Sequence, residues 1–167
     1  VLPKAATPMT AALTILEYGE ETKADVEFFT QEDIDDIKQE SIHYEKKLEN
    51  IRSNEYEKLK EIKLKKEKIL ELSSEDEHEI NQKALDRASR ELKKDDNLSS
   101  SYDQYQRIKK SGMTIEDLNN YNSITADNLI ELNNQLLNFV GANGKYMPFT
   151  KSVTLTINQE SLKNIQI

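Results

Sequence analysis

The sequence predicts a mainly α protein: a long charged helix with a partial antiparallel helical hairpin, coiled-coil-like, plus a small helical cluster and a short C-terminal β element. Three observations predict it. Residues 30–72 contain no Gly or Pro, and a thin line of Leu and Ile runs through their dense charge, as in "YEKKLENIRSNEYEKLKEIKLKKEKILEL" at 44–72. Hydrophobic residues are 36% and charged residues 32% of the 167, at a mean hydropathy of −0.78, which is lean for a thick core. Helix-start signatures of one form recur at three places in the chain.

In chain order, Thr7-Pro8 reads as a helix opening, a capping Thr followed by a Pro whose fixed φ suits the first helical position. Met9, Ala12, Leu13 and Leu16 share one face and Gly19 can end the helix, so a short helix is expected over 8–18. "ADVEFF" at 24–29 alternates Val26 and Phe28 as a short strand would. Residues 1–29 are read as an N-terminal arm.

"FTQEDI" at 29–34 is the first of the three starts. Thr30 can accept from the amide of Asp33, Asp33 favours the helix dipole, and Phe29 and Ile34 make a hydrophobic staple. The form recurs in "MTIEDL" at 113–118 and "ITADNL" at 124–129. From Thr30 the helix is expected to reach about Leu72, roughly 60 Å at 1.5 Å per residue. Heptad positions a and d fall at Ile34, Ile37, Ser41, Tyr44, Leu48, Ile51, Glu55, Lys58, Ile62, Lys65, Ile69 and Leu72. Eight of these twelve are apolar or aromatic, and the failures cluster at 55–65, where Tyr56 and Leu59 carry the line one position over. Pairs such as Glu61 with Lys65 add only a few tenths of a kcal/mol each. Packing must do the rest.

Ser73 or Ser74 can cap a second helix, with Asp76 or Glu77 completing the box. Ile80, Ala84, Ala88 and Leu92 form its stripe along 75–94. Residues 30–96 are therefore the long helix and helical hairpin, and "KKDDNLSSS" at 93–101 is a polar linker. Residues 101–167 are the small helical cluster with a C-terminal strand. Helices are expected over 101–111, ended by Gly112, over 115–121, and over 126–140 with Leu129, Leu132, Leu136, Leu137 and Val140 inward. "GANGKYMPF" is a loop. "KSVTLTI" at 151–157 alternates like a half-buried strand. It needs 26–29, a helix face or a neighbouring molecule to pair with, and "ESLKNIQI" at 160–167 can return as a strand or a helix.

Composition excludes several chemistries. With no Cys there is no disulfide, thiolate zinc site or Cys nucleophile, which suits a reducing compartment. No run of eighteen apolar residues exists to span a membrane. "VLPKAATPMTAALTIL" lacks the long apolar centre of a secretory signal. An intracellular or particle-associated setting is expected, and the start at Val1 suggests a processed or excised fragment. The net charge is −8, and residues 17–40 alone hold ten carboxylates against two Lys. That block repels phosphate and anionic lipid and favours basic partners, although a merely solvated surface has the same composition.

The candidate catalytic signals are weak. His43 and His78, the only histidines, lie in polar helices without a metal-ligand spacing. Glu32, Asp36 and Glu40 share a helix face, but there is no Gly for a calcium loop, and first-turn carboxylates also answer the helix dipole. "GANGKY" is too short between its glycines for a phosphate loop and has Tyr after the Lys, so Asn143-Gly144 is a turn. No Ser/His/Asp set is visible, and "NLS" at 97–99 is a glycosylation sequon by letter only. Lys65, Lys66 and Lys68 are interleaved with Glu and poorly suited to tracking phosphates.

The expectation is a non-enzymatic structural or assembly subunit of a larger complex or particle, working by helix–helix and terminal-arm contacts. Its partner seam is Ile34, Ile37, Leu48, Ile51, Ile62, Ile69 and Leu72. The C-terminal strand is a candidate for adding to a neighbour's sheet. Protein partners or a homo-oligomer are expected, with no nucleic acid, membrane, cofactor or metal. The alternative is an acidic adaptor or inhibitor that docks a basic surface through residues 17–40, with Glu32, Asp33, Asp35, Asp36 and Glu40 as the docking carboxylates.

Overall fold

The computed structural model describes residues 13–158. Its elements are β1 (Leu13–Tyr18), β2 (Lys23–Phe28), α1 (Gln31–Glu67), α2 (Ser74–Leu92), α3 (Asp96–Ser111), β3 (Ser123–Thr125), α4 (Leu129–Val140) and β4 (Thr150–Ile157). Single 3-10 turns lie at Ile115–Leu118 and Met147–Phe149. Among the described residues the protein is mainly α with a small four-stranded sheet. The chain divides into two compact units, Val1–Ile37 with Gln104–Ile167, and Lys38–Asp103, and the divisions fall within α1 and α3. The division expected at 29/30 and near 96–101 is therefore displaced. The N-terminal arm and the C-terminal region are one unit, because β2 hydrogen-bonds along β4.

In the first unit the sheet order is β1-β4-β2-β3. β4 is central because it alternates β-branched and aliphatic residues that fit a pleated surface. It pairs in parallel with β1 (Leu13↔Ser152 through Tyr18↔Ile157) and antiparallel with β2 (Lys23↔Thr156 through Phe28↔Thr150). Ala24, Val26, Val153, Leu155 and Ile157 pack on Leu129, Leu132, Leu136, Phe139 and Val140 of α4. A second cluster joins Ile34, Ile108, Leu118 and Phe149, with Phe29 and Met113 packed against it. The staples at 29–34 and 113–118 thus both close onto one core.

In the second unit, Ser73 accepts from the Asp76 amide at 3.2 Å and starts α2, whose buried stripe is Ile80, Ala84, Ala88 and Leu92 as the periodicity predicts. Two of the four are Ala, small enough to let backbones approach closely. Tyr44, Leu92 and Leu98 form a cluster with Leu48, Ile51 and Tyr102, and the Tyr44 and Tyr102 rings stack at 4.2 Å. Burial, then the neighbouring Tyr102, raises the Tyr44 pKa.

Several expectations are corrected. The helix expected over 8–18 is strand at 13–18, and its opening at 7–12 lies outside the described residues. The parallel register with β4 overrides the local helical spacing. α1 stops at Glu67 rather than Leu72, because Lys68 takes φ 54° and the Ile69 amide donates back to the Leu64 carbonyl at 3.2 Å, closing the end in a Schellman geometry. The linker at 93–101 is only 93–95. Asp95 accepts from the Leu98 amide at 3.1 Å and caps α3, and Leu98 is buried. Residues 115–118, not 115–121, form one 3-10 turn, whose Thr114–Asp117 box is present as expected. α4 begins at 129 rather than 126. Ile124 and Thr125 pair with β2, so Asn128, accepting from the Glu131 amide at 2.9 Å, becomes the cap. The C-terminal strand is interior, with β1 and β2 on its two sides, and has no edge to lend a neighbour. The expected element at 160–167 lies outside the described residues.

Candidate functional site

The seven seam residues do not form one exposed edge. Ile34 is buried in the second cluster of the first unit, and Ile37 is half-buried. Leu48 and Ile51 pack around Tyr44, Leu92 and Leu98 in the second unit. Ile69 and Leu72 lie past the end of α1, a correction that follows from the turn at Lys68. Ile62 remains on α1 and is 61% exposed.

Around Ile62 the second unit has a shallow cleft of about 220 Å³ whose floor includes Leu59, Ile62 and Ile80. Lys63, Lys66, Glu79 and Lys83 rim it. Leu70, in the turn that follows, is 96% exposed. Beside the cleft, Lys63 Nζ donates to Asp76 Oδ1 at 2.8 Å. That bond holds the Asp76 carboxyl below its ordinary range, helped by Ser73, and raises Lys63 above the ordinary lysine value. Arg87 also pairs with Glu55 at 3.1 Å, and Arg52 donates to Asn81 at 2.8 Å.

The five docking carboxylates are put to different uses. The Thr30 amide donates to Asp33 Oδ2 at 3.0 Å and the Asp33 amide donates to Thr30 Oγ1 at 3.1 Å, a closed capping box. The bond from the Thr30 backbone, then that from its side chain, keeps the Asp33 pKa low. Gln31 Nε2 donates to Asp35 at 3.0 Å, and Ser101 Oγ donates to Glu40. Glu32 and Asp36 stay exposed. The carboxylates that are free of any ion pair among the described residues include Glu17, Glu20 and Glu21, upstream of the cluster singled out from the sequence.

His43 and His78 are exposed. Among the described residues no group of three or more His, Asp or Glu is placed to hold a metal ion, and no helix is long and apolar enough to cross a membrane. Two features of the first unit escaped sequence reasoning. One is a run of rings, Tyr121 on Tyr146 at 4.9 Å, Tyr146 on Phe139 at 5.0 Å and Phe139 near Phe28 at 6.1 Å. Burial, then the Tyr121 hydroxyl, raises the Tyr146 pKa. The run ties the 141–146 loop to the α4 face. The other is a cleft of about 470 Å³ to which the tail of α3 and the loop after α4 both contribute, with Arg107, Lys110 and Lys145 in its lining. The "GANGKY" loop supplied a signal for Lys145, but nothing local connects it to α3.

Comparisons with protein-family models, curated proteins and solved structures return no match for this chain.

Proposed function

We propose that the protein is a non-enzymatic structural or assembly subunit, and that the apolar cleft around Ile62 in the second unit is its contact surface. Two large aliphatic side chains left in water within eight residues of each other, Ile62 and Leu70, carry the reading. An apolar floor with a charged rim is the anatomy of a protein interface. Covering each of these side chains with a partner contributes about 1.5–3 kcal/mol. The antiparallel, coiled-coil-like pairing of α1 and α2 belongs to this proposal. It is supported by the two ion pairs between the helices, Glu55–Arg87 and Lys63–Asp76, in which the α2 number falls as the α1 number rises, and by the small-residue stripe of α2. Sedimentation of the full chain tests the proposal. Ile62→Lys with Leu70→Lys should move an oligomer or complex toward monomer at every salt concentration without unfolding it. A wild-type mass unaffected by the pair overturns it.

A second reading is favoured by the free carboxylates at Glu17, Glu20 and Glu21: residues 17–40 dock a basic partner surface. Screening by salt separates the two readings, because only the second weakens steeply as ionic strength rises.

A further inference from the structure

We propose that the basic cleft of the first unit receives the acidic turn Glu17–Glu21 of a second copy of this chain. The inference rests on the reading of residues 17–40 as a docking element and names what they dock.

The receptor is defined by its charge. Arg107, Lys110 and Lys145 line the cleft together with Ser111, Met113 and Asn143, and no carboxylate is among the lining residues. That is an unusual concentration of positive charge in a chain of net charge −8. Among the described residues none of the three cations is in an ion pair. Arg107 donates one N–H to the Ala142 carbonyl at 3.0 Å, which fixes the guanidinium and leaves its other donors for a ligand. The helix dipole accounts for Lys110 in the last turn of α3. It does not account for Lys145, which arrives from the loop after α4.

The turn is complementary in charge. Glu17, Glu20 and Glu21 are exposed and carry no ion pair among the described residues, and Tyr18 between them is 71% exposed. The Gly19 amide donates to the Ile157 carbonyl at 3.1 Å, pinning the turn to the end of β4. A Cβ at Gly19 would meet Thr156 Cγ2 at 2.6 Å, so a larger residue there would force the Thr156 side chain or the turn to shift. The backbone that carries the three carboxylates is thus anchored at Gly19, which lowers the ordering cost of binding. The cleft is open to solvent and partly apolar at Met113. That suits a protruding polypeptide with an aromatic ring better than a small anion, which binding sites usually enclose. Because cleft and turn are different surfaces of one copy, the contact is head-to-tail, forming a ring or an open chain.

Charge reversal tests this, with the full chain in sedimentation velocity at about 10 mM salt, where the Debye length is roughly 30 Å, and at about 1 M, where it is roughly 3 Å. Wild type should show a component of association at low salt that is lost at high salt, and Ile62→Lys with Leu70→Lys should retain this salt-sensitive component. Lys110→Glu with Lys145→Glu should abolish it, as should Glu20→Lys with Glu21→Lys. All four positions are exposed, so both variants should fold, which circular dichroism checks. Mixing the two reversed proteins should restore a complex at low salt, because the intact turn of one then faces the intact cleft of the other and the two reversed surfaces are again opposite in charge. Loss on turn reversal but not on cleft reversal overturns the cleft as receptor while leaving the turn a docking element. No salt-dependent association, or no effect of either reversal, overturns the inference. So does binding of inorganic phosphate to the cleft of a protein that remains monomeric at low salt.

Discussion

The two units stabilise themselves by different means. The largest fully buried side chains, Phe149, Leu118, Leu132, Leu136, Met147, Leu155 and Val153, all belong to the first. Its core is built from contacts far apart in sequence, β1 and β2 both closing onto β4. The second unit's two fully buried side chains are Ala84 and Ala88, and its larger apolar residues keep some exposure. It depends on caps, intrahelical pairs and ion pairs between helices, each worth little. The comparison teaches that a charged, core-poor chain can still concentrate its apolar residues in one region and leave the rest to local helix chemistry.

The largest effect that tests this contrast is at Phe149. Phe149→Ala removes a side chain 1% exposed in the second cluster and should cost about 3–5 kcal/mol. Denaturant unfolding measures the total, and native-state hydrogen exchange measures where it falls. Protection should drop in β2, β4 and α4 and remain in α2. An equal loss in α2 would break the distinction between the units.

A smaller effect sharpens the second unit's side of the contrast. Lys68 sits at φ 54°, where a residue with a Cβ carries a penalty of about 1–2 kcal/mol. Glycine avoids that penalty at the cost of unfolded-state entropy, so Lys68→Gly should raise stability by about 1 kcal/mol. The midpoint of urea unfolding reads it. A fall instead would mean that the lysine side chain contributes more than its backbone costs.

What could be read from the sequence follows the same division. The α2 stripe, the Thr30 and Thr114 boxes and the Ser73 cap depend on residues three or four apart, and each lies where the spacing put it. The strand at 151–157 was legible from its alternation, but its central place was not, because that place is set by partners at 13–18 and 23–28. Leu13 and Leu16 fit a helical face as well as a strand. Gly19 marked a real chain reversal, whose purpose is close approach to Thr156 rather than a helix stop. Lysine is not a stop residue, so the end of α1 at Glu67 gave no sign. The seam was drawn as a continuous repeat on one helix. Its residues are instead used separately, Ile34 within one core, Leu48 and Ile51 within the other, and Ile62 in water. The basic cleft needed α3 and the loop at 141–148 to converge, which no window of sequence displays.

The smallest effect is pH dependence, and its sign is fixed by the direction of the shifts. Asp76 has its pKa lowered, first by the bond from Lys63 and then by Ser73. A carboxylate depressed in the folded state contributes stability above its unfolded pKa and loses it as pH falls through the folded value. Lys63 is shifted up, so its share is present below the ordinary lysine range and is lost only in strong alkali. Glu61 and Glu79 are also lowered, each chiefly by a lysine one turn on, and add to the same acid-side loss. In the first unit Asp33 carries a lowered pKa from its cap, while the Tyr146 shift falls on the alkaline side. Acid should therefore loosen the second unit before the first. Amide exchange in α2 should accelerate as pH drops through the carboxylate range, after correction for the intrinsic rate, while the β4 amides hold. Asp76→Asn should flatten that acid limb by lowering stability near neutrality toward its acid value, because the contribution lost on acidification is the one the variant lacks at every pH. An acid limb as steep in the variant as in wild type would assign the loss to the other carboxylates, and a simultaneous loss in β4 would contradict the unequal cores from which the contrast was drawn.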